Sequence, residues 1–159
     1  NKLRDVTAIH CAIGAAEGKV SFTSKYSDDQ NEISDEGDVE VPIRPLDQLL
    51  SLESVTLLKI DVEGFELLVL QGARETLAKT DAVYFEAYDP LYAKHDYSFA
   101  HVAALLRESG FSIYAVEGTK LTPFEQTASP NFVNLLALRS LPLALSRGFS
   151  IEAQARALA

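Results

Sequence analysis

Methionine and tryptophan are absent from the chain, methionine even at position 1. A chain without a start residue reads as processed or as cut from something longer. Cysteine occurs once, as Cys11 inside an apolar run. That excludes a disulfide framework, makes a reducing, cytoplasmic setting the expectation, and leaves Cys11 to be read as a small buried hydrophobe. Cations are scarce: 14 Lys and Arg stand against 23 Asp and Glu, a net charge of -9. Binding to nucleic acid or an anionic membrane works through Lys and Arg clusters, and none is present, so neither partner is expected and a neutral or cationic ligand fits better. No run approaches the ~20 apolar residues of a membrane span, and residues 1–7 have no basic stretch leading into an apolar one. Internal repeats and low-complexity tracts are also missing.

What remains is 159 residues with 47% hydrophobic content, enough for the core of one domain. The chain is organised around residues 57–66. Leu57, Leu58, Ile60 and Val62 form a β-prone run, interrupted only by Lys59, of the kind covered on both faces in a parallel sheet. After Gly64 the period changes, and Leu67, Leu70, Ala73 and Leu77 mark one face of a helix of about fifteen residues. Residues 82–88, after Asp81, form a second buried strand containing Glu86. Strand, helix and strand make a right-handed βαβ unit, so the two strands are expected to be parallel neighbours. The fold class is therefore α/β.

Upstream, residues 6–13 (VTAIHCAI) read as a buried strand closed by Gly14, with His10 as an ordinary core or edge histidine. Residues 19–23 and 39–43 alternate with period two and suggest an antiparallel pair, with Pro42 placing the second member at an edge. Between them, residues 24–38 form a long acidic loop whose ligand order does not match a calcium loop; a lid or binding loop stays open. Pro45 opens a short helix through Leu50. Downstream, residues 89–98 (DPLYAKHDYS) read as a polar and aromatic loop at the carboxyl edge. Residues 99–109 read as a helix with Val102, Leu105 and Leu106 inward, stopped by Gly110. Residues 111–117 and 132–138 form a terminal hairpin. Residues 1–140 are taken as the domain and 141–159 as a helical tail interrupted by Gly148.

Ligands in open α/β sheets bind at the carboxyl ends of the strands, which is where Asp61, Glu63 and Glu86 fall. Two carboxylates 4 Å apart repel by about 1 kcal/mol in water and about 4 kcal/mol at an effective dielectric of 20, so a converging pair needs a cation, a proton or ligand donors. The bland alternative is that they diverge, Glu63 and Glu66 serving only the dipole of the following helix. Lys59 and Asp61 share a face and suit a structural ion pair. His95, in the predicted carboxyl-edge loop, is a substitute general base. A divalent-metal enzyme using Asp61, Glu63 and Glu86 is a further alternative, although no metal-ligand series is present.

The stretch KIDVEGFE at residues 59–66, followed by Leu70-Gln71-Gly72-Ala73 and preceded by Val41-Pro42-Ile43 and Leu46-Asp47-Gln48-Leu49-Leu50, resembles the FkbM family of methyltransferases. Ala12-Ile13-Gly14, Glu17-Gly18 and Phe85-Glu86 fall in the same order, so the resemblance runs from about Val6 to Leu138. It implies a Rossmann-like class I methyltransferase sheet and S-adenosylmethionine-dependent O-methylation of hydroxyls on sugars or other natural products. It also implies Asp61 near the methyl-transfer centre, Glu63 or Glu86 as base or hydrogen-bond acceptor, His95 as the substitute, and Ala12 with Asp61 toward the cofactor. The family's glycine-rich loop and ribose-holding acid precede the segment like residues 6–14, and the chain has no Gly-x-Gly. The expectation is thus a carboxyl-terminal part with an incomplete sheet, its first two strands missing. Residues 6–13 would then hang at an open edge or pair with residues 57–61. A non-catalytic truncated module is the competing reading.

Overall fold

A computed structural model describes residues 5–24, 33, 37–125 and 130–152. Its strands form two sheets. The first joins β1 (Ala12–Ile13), β2 (Gly18–Phe22) and β3 (Val39–Arg44) in the order β1-β3-β2. The expected antiparallel pairing of the alternating segments is present, with Val20 opposite Val41. Pro42, however, stands in the central strand and not at an edge. Strand β1 reaches only Ile43 and Arg44, so the missing proline N–H faces β1 where no ladder runs.

The buried strand expected over residues 6–13 shrinks to those two residues of β1. It does not pair with β4; it stands at one edge of the first sheet. Among the described residues β1 has a neighbour on one side only, and Val6 and Ile9 are 65% and 49% exposed. An apolar run stays extended and buried only where a sheet receives it. His10 is exposed here, and Cys11 is half-buried with its thiol against the carbonyl of Pro42 at 3.3 Å, not enclosed in a core.

The second sheet comprises β4 (Leu58–Ile60), β5 (Ala82–Ala87), β6 (Ser112–Glu117), β7 (Lys120–Pro123), β8 (Val133–Leu138) and β9 (Ser150–Ile151), in the order β4-β5-β8-β6-β7-β9. Strands β4 and β5 are parallel neighbours, as the βαβ pattern requires. The expected terminal hairpin strands β6 and β8 pair antiparallel, with β7 as an additional strand. Strand β4 is shorter than the apolar run and is not covered on both faces, since Leu57 is 56% exposed. The strand terminates the sheet among the described residues, so its outer side has no neighbour to bury the run.

Helix α1 (Leu46–Leu49) follows Pro45. The single long helix expected after Gly64 is two: α2 (Glu66–Gln71) and α3 (Arg74–Ala78). The break falls at Gly72, whose backbone presses on Gly14 and Pro45 so closely that a Cβ there would sit 2.0 Å from the Gly14 carbonyl oxygen. Gly72 turns its own carbonyl to the N–H of Asp47 at 3.1 Å instead of continuing a helix. Leu67, Leu70, Ala73 and Leu77 are nonetheless all buried, so the inward face is the predicted one. Residues 89–98, expected as a loop, begin with helix α4 (Asp89–Ala93), which has proline in its first turn and buried Tyr92.

Helix α5 (Phe99–Glu108) buries Val102, Leu105 and Leu106 and is stopped by Gly110 at φ 88°. With α2 and α4 it builds the main core on one face of the second sheet, around Phe85, Tyr92, Phe99 and Leu135. Helix α6 (Leu141–Ser146) opens the tail segment, and its Ala144 packs with Tyr114, Leu121, Leu136 and Leu138 in a smaller cluster. The acidic loop, apart from Ser24, Ile33, Gly37 and Asp38, lies outside the described residues. No described helix is long and apolar enough to cross a membrane.

Candidate functional site

The parallel register pairs Ile60 with Phe85, so the next residue on each chain is an acid: Asp61 after β4 and Glu86 within β5. Adjacent strands run ~4.8 Å apart, which brings these carboxyls to the same lip of the sheet. The backbone then folds back sharply. Glu63 takes a left-handed φ of 50° and Gly64 one of 97°. A non-glycine residue in that region is strained by ~1–2 kcal/mol. Gly64 has a second constraint, because a Cβ would stand 2.8 Å from Cβ of Leu91 on α4. The tight turn itself packs against α4 at Leu91 and leaves Glu63 in the wall at the strand ends.

The result is a small cleft lined by Asp61, Glu63, Glu66 and Glu86, with Tyr88, Leu91 and Tyr92 completing the wall. Its free volume is about 10 Å³, the room one water-sized group needs. Asp61 is held from outside by Lys59 at 2.7 Å, as strand parity led us to expect, and both side chains are more than half exposed. Such a pair adds little stability but fixes where the Asp61 carboxylate points. The hydrogen bond to Asp61 raises the Lys59 pKa, so the lysine stays charged.

Glu66 is the residue that sequence reasoning misjudged. Read as a first-turn acid serving the helix dipole, it is 3% exposed, and its Oε2 is buried without a hydrogen-bond partner. Burial pushes its pKa up to about 7; backbone N–H groups of Glu66, Gly64 and Val62 pull it down, and the nearby Glu63 adds a smaller upward push. A signal was available. Glu66 lies four residues before Leu70 and seven before Ala73, on the very stripe assigned to the core.

Two tyrosines frame this carboxyl. Tyr97 donates its hydroxyl proton to the carbonyl of Gly64 and accepts the N–H of Leu67 at 3.3 Å, tying the turn to α2. Tyr92 donates to the carbonyl of Glu86 at 3.2 Å and stacks on Tyr97 with ring centroids 5.1 Å apart. Burial, followed by the charge of Glu66, raises the pKa of Tyr92, and burial likewise raises that of Tyr97. Both remain protonated donors. Neither was singled out by itself from the sequence, although their stretch, residues 89–98, was expected at the carboxyl edge as a possible pocket wall, and Tyr92 is in the cleft wall.

Of the residues expected at the site, Asp61, Glu63 and Glu86 are brought together. His95 is not in the cleft wall; its ring stands edge-on to Phe65, centroids 5.3 Å apart, behind the turn. Ala12 belongs to β1 in the other sheet, paired with Ile43. Among the described residues no group of three or more His, Cys, Asp or Glu side chains is disposed to hold a metal ion.

No curated protein and no solved structure matches the chain. The family model described as "Methyltransferase FkbM domain" does match, over residues 3–113. That span contains both acid-bearing strands, the left-handed turn and Glu66. The chain therefore belongs to the FkbM methyltransferase family.

Proposed function

We propose that this methyltransferase uses S-adenosylmethionine and transfers its methyl group to a hydroxyl of a sugar or another natural product. The observation that carries the reading is the convergence of Asp61, Glu63, Glu66 and Glu86 on one cleft at the carboxyl ends of β4 and β5. Methyl transfer to a hydroxyl needs little more from a protein than alignment and a place for the proton. Alignment alone contributes ~7–11 kcal/mol.

The residues suit the cofactor's charge. A sulfonium with an ammonium beside it is cationic, and the cleft wall holds four acidic residues and no Lys, Arg or His. Asp61, at the lip and oriented by Lys59, is the residue assigned toward the cofactor, with Ala12 on the β1 side. When bound, S-adenosylmethionine supplies a methyl group already activated for displacement. Glu63 or Glu86 accepts the hydrogen bond of the incoming hydroxyl and takes its proton. The left-handed turn holds Glu63 in place, and Tyr92 anchors the strand end that carries Glu86.

The test is direct methyl transfer. Incubation with methyl-labelled S-adenosylmethionine and a panel of sugars and polyols is expected to yield an O-methylated product. Glu86→Gln is expected to lower the rate by at least tenfold with the melting temperature unchanged. Label on nitrogen or carbon of the product, or no label transferred with any hydroxyl acceptor, would remove the proposal.

A further inference from the structure

We infer that the stacked pair Tyr88 and Phe132 is a shelf that seats the ring of the methyl acceptor, so that the site selects cyclic acceptors over open-chain ones. The inference deepens the methyl-transfer reading and rests on it for the reaction, while the seat is argued from the pair alone. Val133 is opposite Ala87 in the last rung between β8 and β5, so Phe132 and Tyr88 are the next residues on each chain. Their rings lie nearly parallel, 19° apart in plane with centroids 3.8 Å apart. Beyond them the N–H of Asp89 donates to the carbonyl of Pro130 at 3.1 Å, holding the two chains together past the stack. Tyr88 is in the cleft wall with Asp61 and Glu86. It follows Glu86 by two residues in extended backbone, at φ -147°, so the two side chains share a face of the sheet about 7 Å apart.

Phe132 is held against two unfavourable terms. Its φ of 51° is in the left-handed region, where a bulky side chain is an outlier, and 60% of it is exposed. It belongs to neither core cluster. What it does is cover one face of Tyr88, leaving the tyrosine's other face and edge to line the cleft. A braced aromatic ring beside carboxyls fits a saturated ring with hydroxyls on its rim. The C–H groups of such a ring, polarised by neighbouring oxygens, lie against the negative π face. Its hydroxyls donate to Glu86 and to Asp61, whose side chain is 56% exposed at the mouth of the cleft. Asn134, exposed and opposite Glu86, offers an amide that donates as well as accepts. An open-chain polyol has the same hydroxyls but no rigid C–H face, and must lose rotational freedom to present one.

Saturation-transfer NMR on the intact protein reads the seat without turnover, with methyl β-D-glucopyranoside as the ring probe and D-glucitol as the open-chain control. Saturation is expected on the ring C–H protons of the pyranoside, with an affinity about tenfold above that for glucitol. Tyr88→Leu, which keeps apolar bulk and removes the π face, is expected to abolish that difference, and Tyr88→Phe to retain it. Phe132→Gly removes the brace and relieves the backbone, so it is expected to weaken pyranoside binding while melting no lower than the wild type. In the transfer assay the KM for the pyranoside follows the same order across the variants, with kcat changed by less than about twofold. Equal affinity for ring and open chain, or pyranoside binding by Tyr88→Leu as by the wild type, would overturn the inference. A Phe132→Gly protein that melts lower and binds the pyranoside unchanged would also overturn it, leaving Phe132 a structural role alone. Labelled methyl passing equally well to cyclic and open-chain acceptors would remove the shelf and leave the methyl-transfer reading standing. A pyranoside seated on Tyr88 in a protein that transfers no methyl would do the reverse.

Discussion

Glu66 shows what a single buried carboxyl does to a whole protein's pH response. Its folded pKa of about 7 lies above the ordinary 4.5, so folding favours its protonated form. The stability linked to it is fully present below about pH 4.5 and is lost as pH rises through 7. The loss approaches about 3 kcal/mol at alkaline pH, since each pKa unit is worth ~1.4 kcal/mol. Glu66→Gln is expected to remove this dependence, its melting temperature exceeding that of the wild type at pH 8 and matching it at pH 4.5. Parallel melting curves across that range would contradict the assignment. Gly64 is the second critical residue, at φ 97° with Leu91 within contact range of any added carbon. Strain and overpacking together should make Gly64→Ala less stable by ~2–4 kcal/mol, read as a lower urea midpoint with an unchanged slope.

At the scale of elements, the break between α2 and α3 is held from both sides. The Asp47 carboxylate accepts the N–H of Glu75 at 2.9 Å, the N–H of Thr76 at 2.8 Å and the hydroxyl of Thr76 at 2.7 Å, capping α3 from a different helix. Although burial raises its pKa, these bonds, that from the Thr76 hydroxyl first, hold it below the usual carboxylate value. The sign is opposite to that of Glu66: this contribution is present above the unfolded pKa and is lost as pH falls through the folded one. At the other end of α3, Arg139 donates to the carbonyls of Leu77 at 2.7 Å and Thr80 at 3.0 Å while its guanidinium lies 4.5 Å over the ring of Phe111. Asp47→Ala, which removes an N-terminal cap, is expected to lower stability by ~1–2 kcal/mol in chemical denaturation at pH 7. An effect under 0.3 kcal/mol would show that α3 does not depend on its cap.

Periodicity made the stripe of α2 and α3 legible, as it did the parallel pair β4 and β5, because both are set by local alternation of side chains. The helix break was not. Gly72 turns on a contact with Gly14, 58 residues away in sequence, and no local pattern encodes such an approach. The strand expected over residues 6–13 failed for a related reason. Its composition is that of a buried strand, but composition says nothing of whether a neighbour is there to bury it, and β1 has one only at Ile43 and Arg44.

For the molecule as a whole, the division into two sheets joined through the Gly14, Pro45 and Gly72 contact leaves the acids of β4 and β5 at one lip and β1 in the other sheet. Three of the four cleft carboxyls were readable from their positions at strand ends. The fourth, Glu66, was hidden because its helical parity was set aside in favour of its place in a first turn. A net charge of -9 agrees with a site built to receive cations. The central claim is that this lip is where a methyl group moves. Its most direct test is transfer of labelled methyl from S-adenosylmethionine by the protein and its Asp61→Ala variant, with circular dichroism as the control for folding. The account predicts that the variant keeps the wild-type spectrum and melting curve and loses transfer by at least a hundredfold; wild-type turnover in that variant would contradict it.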